Sequence, residues 1–345
     1  MDPISQGVVG ASFAESFANN KTIRVAAICG LIGALVPDLD ILIRSAHDPL
    51  LKLEYHRHFT HALFFIPFGA LIVSFILWGL FFKKNHKFLE IYIYSFLGFA
   101  THGMIDAFTS YGTLLYWPFS NIRVAWNIIS IVDPLFTLPL LLFAIISIVK
   151  KSPSIARIGI ITACFYLMIG YFKHQEIKNI LFKEAHKNNH EIEDYFIDPT
   201  IGNNITWRAI YKSQGKYYIY AIYIPYLKGK NIHSGDVIDV IDTDTVFPTL
   251  DKDSQQRKDI KRFEHFTSKF IAMHPSNENV IIDLRYNIIP FSGKDSLWGI
   301  EVNPNTPDEH VKFKMLRNGK SDRIAIFWSL INGDFSNLKE YNKDS

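Results

Sequence analysis

Residues 62–82, ALFFIPFGALIVSFILWGLFF, carry no charged side chain. As a helix rising about 1.5 Å per residue, such a run is long enough to cross a hydrocarbon core of about 30 Å. Soluble folds have few places for it, so the chain is expected to be an integral membrane protein. The averages hide this. Mean hydropathy is +0.09 and 20% of the 345 residues are charged, because the long apolar runs lie almost entirely before residue 172. The rest of the chain is polar and rich in Lys, Asp and Asn. The expected architecture is a membrane α-helical bundle of about six segments, some short or re-entrant, followed by a smaller, β-rich α+β soluble domain. The expected division is 1–172 for the membrane domain, 173–194 for a helical linker and 195–345 for the soluble part.

Residues 127–149 form a second long span, broken by Asp133 and two prolines, and 155–172 a shorter third. Residues 89–109 are apolar but contain Glu90, His102 and Asp106. Residues 23–43 are apolar up to Pro37-Asp38-Leu39-Asp40, and residues 3–18 are small and weakly apolar. Lys and Arg in short loops mark the cytoplasmic side. Placing Lys21, Arg24, Lys83, Lys84, Lys87, Lys150, Lys151 and Arg157 there puts both the N-terminus and the C-terminal domain outside. It also brings Asp2, Asp38, Asp40, His56, His61, His102, Asp106 and Asp133 to the same outer level.

Beyond residue 195, β-rich runs are expected at Tyr217–Ile224, Val237–Ile241, Val280–Tyr286, Trp298–Val302 and Ile324–Trp328, separated by Pro, Gly, Asn and Asp. An amphipathic helix is expected over 255–273. A net charge of +3 and pI near 8.6, with no basic stripe interleaved with aromatics, exclude nucleic acid as a partner. Cys29 and Cys164 both fall in apolar segments and read as buried, unpaired residues. No cleavable signal peptide is evident.

Ionisable groups inside membrane segments are costly and mark function by default. His102 and Asp106 stand at i and i+4, on one face of a helix. Asp38 and Asp40 follow the helix-breaking Pro37, and Tyr55-His56-Arg57-His58-Phe59-Thr60-His61 supplies three imidazoles just before an uncharged span. Mixed His and carboxylate donors suit a divalent metal ion: zinc first, with manganese or iron as alternatives. Such an ion serves a hydrolase by polarising a scissile bond and making hydroxide available near neutral pH. Structural readings stand beside this one. Asp38 and Asp40 could cap helices, His102 and Asp106 could join helices without metal, and Asp133 could start a helix. His58 reads as a solvent-facing loop residue, Arg57 as a group binding phosphate or supporting the site, and Glu15 and Glu90 as interfacial charges. No G-x-S-x-G, phosphate-cradling Gly loop or H-E-x-x-H is present.

An ordered set of short motifs carries a resemblance. They are Met1-Asp2-Pro3-Ile4-Ser5-Gln6, Leu35-Val36-Pro37-Asp38-Leu39-Asp40, the Tyr55–His61 segment, Thr101-His102-Gly103-Met104-Ile105-Asp106-Ala107-Phe108-Thr109 with Tyr111-Gly112-Thr113, Trp117-Pro118, and Ile131-Val132-Asp133-Pro134. In this order the first 140 or so residues resemble the bacterial membrane-bound, metal-dependent hydrolases of YdjM type, and Trp207-Arg208 and Asp283-Leu284-Arg285-Tyr286 look like pieces of the soluble tail of longer members. The resemblance implies an inner-membrane protein with metal at His56, His61, His102, Asp106 and the Pro-Asp-x-Asp carboxylates, and with Asp2 as a further ligand. Many relatives carry His where this chain has Gln6, so a ligand from that position is expected to be weaker or absent.

Three functions from different classes are compatible with these residues. The first is a metal-dependent hydrolase at the outer membrane–water boundary, acting on a lipid or another phosphate- or acyl-bearing envelope component, with Asp38 and Asp40 as ligands or as the base and Arg57 steadying developing negative charge. A distant likeness to the helical zinc-dependent phospholipase C and nuclease group would favour phosphodiesters. The second is a transporter or ion-handling protein, against which stand the lack of an inverted repeat and the gathering of polar groups at one face. The third is a membrane-anchored envelope scaffold.

Overall fold

The computed structural model describes the chain apart from residues 228, 295, 317–322, 337 and 339–345. It divides into two units. The first comprises Met1–Ile43, Tyr55–Phe172 and Ile201–Asn204, and the second comprises Arg44–Glu54, Lys173–Thr200 and Ile205–Ser345.

The first unit is helical: α1 (Pro3–Phe17), α2 (Ile23–Leu35), α4 (Ile66–Leu77), α5 (Phe88–Ala107), α6 (Pro134–Lys150) and the start of α7 (Pro153–Lys187). A 3₁₀ turn, Val36–Leu42, prolongs α2, and the π turn Trp78–Phe82 prolongs α4. Four stretches are long and apolar enough to cross a membrane: Ile23–Leu42, Leu63–Phe82, Phe88–Ala107 and Pro153–Lys187. At 15 and 17 residues, α1 and α6 are shorter. The chain is a membrane protein with a β-rich C-terminal part.

Small residues let α1 lie inside the bundle. A Cβ on Gly10 would collide with the backbone of Gly30 and with Ala34, so the two helices touch backbone to backbone. In lipid, where no hydrophobic force pulls helices together, such contact supplies the packing energy. At one end of the bundle the Thr22 hydroxyl meets Tyr94 Oη at 2.7 Å. At the other, the C-terminal end of α2 lies against that of α5. The basic connections, holding Lys21, Lys83, Lys84, Lys87 and Lys151, therefore sit at helix ends opposite those that carry Asp38, His102 and Asp106.

Three expectations in this half are corrected. Residues 127–133 are irregular, not helical, because Asp133 caps α6 and Pro134 occupies its first turn. Glu15 is fully buried in α1, not interfacial. Cys164 is exposed on α7 while Cys29 is buried, since α7 presents a broad apolar face outward.

The third apolar stretch and the polar segment after it are one helix, α7, of 35 residues. The second unit then builds two antiparallel sheets. Strands β1 (Asp194–Pro199), β2 (Thr206–Ser213), β3 (Lys216–Tyr223) and β4 (Asn231–Asp239) pair in chain order, as do β5 (Ile271–His274), β6 (Asn277–Asp283), β7 (Trp298–Glu301) and β8 (Lys312–Met315). Trp207, Tyr211, Ile222 and Leu181 are among the buried residues of one core, where α7 packs with the first sheet. The amphipathic helix α8 runs Gln255–Phe266, with Ser254 as its cap. Ile324–Trp328, expected as a strand, is helix α9 (Arg323–Asn332). Its buried members are Ile326 and Leu330, one turn apart, while Ile324 and Trp328 face outward. Over so short a stretch, a period near 3.6 reads as a continuous apolar run.

Candidate metal centre

The polar residues of the first unit converge because three backbone devices aim them. After Pro37 the chain turns as a 3₁₀ helix, about 120° per residue, so Asp38 and Asp40 leave it in different directions. On α5 the i, i+4 spacing stacks His102 above Asp106. Gly103 between them has no side chain, which lets the His61 backbone rest on the helix; a Cβ there would collide with the His61 carbonyl oxygen.

The result is a closed group. His61 Nε2 and His102 Nε2 are 2.8 Å apart. Asp38 Oδ1 is 3.4 Å from each, and Asp106 Oδ2 is 3.3 Å from His61 Nε2 and 3.7 Å from His102 Nε2. Both imidazoles and Asp106 are almost wholly buried, whereas the Asp38 side chain is 28% exposed.

The hydrogen bonds behind the rings assign their protons. His102 Nδ1 lies 2.5 Å from the carbonyl oxygen of Ala34, which can only accept, so Nδ1 carries the hydrogen. Thr60 Oγ1 donates to Asp40 Oδ2 at 3.1 Å, leaving its lone pairs to accept from His61 Nδ1 at 3.0 Å. Asp40 Oδ2 lies 3.3 Å from the same nitrogen. With both Nδ1 atoms protonated, the rings in their neutral form turn Nε2 lone pairs toward one another and toward two carboxylates. One extra proton would satisfy a single pair; a divalent cation satisfies all four donors. The donor set therefore fits a metal ion, with the orienting carbonyl and carboxylate partners that metal-ligating histidines use.

Asp40 supports this centre from behind. Besides Thr60 and His61 it accepts the Arg57 backbone N–H at 2.8 Å, and its Oδ1 is 2.9 Å from His56 Nδ1. Arg57, at φ 60, sits in the left-handed region that non-glycine residues seldom occupy. It is held there by that bond, by its carbonyl accepting from Leu114 N–H, and by its side chain. The guanidinium places Nε 3.0 Å from Asp106 Oδ2, donates through Nη1 to Thr109 Oγ1 at 2.8 Å, and lies over the Tyr111 ring.

Asp38, His61, His102 and Asp106 thus form one donor group, and Asp38, Asp40 and His56 a second that shares Asp38. Two other candidates lie elsewhere. Asp2 is not in either group; it is the N-cap of α1, its oxygens taken by the N–H groups of Ile4 and Ser5 and by Ser5 Oγ. Asp133 caps α6 and accepts the Tyr166 hydroxyl at 2.8 Å. His58 is half-buried among Tyr55, Phe59 and Trp117 rings, away from the centre and not facing solvent. Gln6, expected to be a weak ligand at best, turns Nε2 to Asp106 Oδ1 at 2.7 Å, and the Met1 amino group contacts the same oxygen. The supporting roles of Thr60, Thr109 and the Ala34 carbonyl have no sequence signal, since each depends on how the chain packs around it.

A family model, YdjM inner membrane protein, matches residues 1–177, which contain every member of both groups. Among curated proteins, Uncharacterized protein YfhP of Bacillus subtilis is 27% identical over 194 residues, 56% of this chain and 57% of that protein. The chain therefore spans little more than half the length of this curated relative. No solved structure matches. The ordered motifs, the buried histidine–aspartate group and the family match agree: the chain belongs to the YdjM inner membrane protein family.

Proposed function

We propose that the chain is a metal-dependent hydrolase of the membrane surface, with Asp38, His61, His102 and Asp106 holding one divalent ion, zinc before manganese or iron. The observation that carries this reading is the pair of buried imidazoles whose Nδ1 atoms are tied off and whose Nε2 lone pairs face two carboxylates. An ion bound there supplies Lewis-acid polarisation of an ester or phosphoryl group and eases ionisation of water.

The chain's own residues do the rest. Asp40 holds His61 and His56 in register. Arg57 fixes Asp106 and balances part of the carboxylate charge. The centre opens at Asp38 and His56, whose side chains are 28% and 22% exposed. Asp38 stands on a turn whose Leu39, Ile41 and Leu42 are exposed apolar side chains, at the end of a segment able to cross the membrane. A rim of that kind favours an amphiphile, its polar ester or phosphodiester at the ion and its chains along the leucines. The distribution of Lys and Arg supports an outward-facing centre, with the C-terminal unit on the same side. Gathering of the polar groups at one end of the helices favours this reading over a translocation path at mid-membrane.

Metal analysis of detergent-purified protein tests it. Near-stoichiometric transition metal is expected in the wild type and its loss in His102→Ala. Absence of metal from both removes the proposal. Metal-loaded protein is then expected to cleave a phosphodiester or ester probe presented in lipid micelles, and His102→Ala to be inactive.

A further inference from the structure

Between the ligand-bearing stretches Val36–Leu42 and Phe59–His61 the chain makes an excursion. Residues Arg44–Glu54 group with the second unit, although Ile43 and Tyr55 on either side belong to the first. The excursion is ordered locally. Ser45 Oγ accepts the N–H groups of His47 and Asp48, Asp48 Oδ1 accepts that of Leu50, and the single turn α3 (Leu51–Tyr55) follows. Leu50 is buried.

Arg262 of α8 grips this segment. Its Nε and Nη2 donate to Glu54 at 2.6 and 2.8 Å, Nη1 and Nη2 to Asp48 at 3.1 and 2.8 Å, and Nη1 to Asp259 at 2.9 Å. A guanidinium offers five N–H donors in one plane, and three carboxylates take them all. Asp259 is itself buried and accepts from Val311 N–H and Gln255 Nε2, with His310 Nδ1 at 2.8 Å. The guanidinium is therefore aimed before it meets Asp48 and Glu54. A lone surface ion pair contributes little, but a forked, multiply bonded one with a buried member defines geometry.

We infer that Arg262 is a positioning residue for the metal centre: by clamping Asp48 and Glu54 it sets the chain that delivers His56, Arg57 and His61. Only Tyr55 separates Glu54 from His56, so slack on one side reaches the other with little to absorb it. The C-terminal unit thereby tunes how tightly the centre holds its ion. This inference rests on the proposed metal centre.

The test uses the full chain in detergent, as wild type, Arg262→Ala, Arg262→Lys and the pair Asp48→Asn/Glu54→Gln, with two readouts. One is the rate of tryptic cleavage after Arg44 and Lys52; the other is titration with Co²⁺ followed by its visible absorption, which reports ligand geometry. Arg262→Ala is expected to be cleaved faster and to bind Co²⁺ at least about tenfold more weakly, with an altered spectrum. Arg262→Lys keeps the charge but not the fork and is expected to fall between, and the paired variant to match Arg262→Ala even if that variant folds poorly. Wild-type protein that binds no Co²⁺ removes the metal reading and this inference with it. Wild-type binding with unchanged affinity and spectrum in both Arg262→Ala and the paired variant overturns the inference alone, whether or not cleavage accelerates.

Discussion

Asp40 is the residue whose replacement separates an orienting role from a ligand role most cleanly. Its Oδ2 faces three donors, Arg57 N–H at 2.8 Å, Thr60 Oγ1 at 3.1 Å and His61 Nδ1 at 3.3 Å, while Oδ1 faces His56 Nδ1. In Asp40→Asn the amide keeps the volume but presents one acceptor and one NH₂. Its best orientation leaves the oxygen on the three donors and turns the NH₂ to His56, so His56 must switch tautomer. The charge-assisted bonds weaken to neutral ones, about half as strong, and His61 becomes a poorer donor to metal. Loss of such a partner costs about 10–100-fold in metal affinity, or about 1.4–2.8 kcal/mol. Asp40→Ala goes further, since it strips the acceptor from the buried Arg57 N–H at about 1–3 kcal/mol and leaves the Thr60 hydroxyl that orients His61 Nδ1 without its own acceptor. Competition titration against a chromophoric chelator measures both. The expected order is wild type, Asn, Ala, with the Asn variant still reaching full stoichiometry at saturating metal. Binding within about twofold of wild type in both variants would refute the proton assignment on His61 and the orienting role built on it.

Two other outcomes are expected. Gly103→Ala drives a methyl into the His61 carbonyl, so thermal unfolding in detergent should fall by the about 1–3 kcal/mol typical of overpacking, with metal loss. Gly79→Ala, where nothing lies within 4 Å, should do neither, and equal behaviour of the two would contradict the close approach. Asp48 tests the clamp through pH. Burial pushes its carboxyl up, but the hydrogen bonds from Arg262 and Leu50 N–H outweigh this and hold it below the usual carboxylate value. A depressed folded value means a stabilisation present above the unfolded value of about 3.9 and lost as pH falls through the lower folded one. The stability gap between wild type and Asp48→Asn should therefore be constant from about pH 7 to 5 and shrink below about pH 4; a gap independent of pH down to about 2 would contradict it.

The features legible in the sequence are those set by short-range physics. An uncharged run such as 62–82 has few soluble alternatives, and an i, i+4 pair such as His102 and Asp106 shares a face wherever the helix packs. Threading by Lys and Arg brings Asp38, His61, His102 and Asp106 to one level, and the structure gathers them there. Residues 127–133 and Ile324–Trp328 differ from expectation because composition does not show where a cap ends a helix or which period buries an apolar run. The roles within the centre lie beyond the sequence as well. Asp2 and Asp133 could be read as ligands from the sequence, but their oxygens are engaged by helix N–H groups and by the Ser5 and Tyr166 hydroxyls. Asp40 reads in the sequence as a ligand or a base, and only the packing shows its four partners behind the rings. Arg262, 208 residues from Glu54, carries no sign of the contact. A carboxylate's chemistry is the same in every one of these places. Its role is decided by which donors reach it first, and that is a property of packing across distant parts of the chain, not of the local sequence.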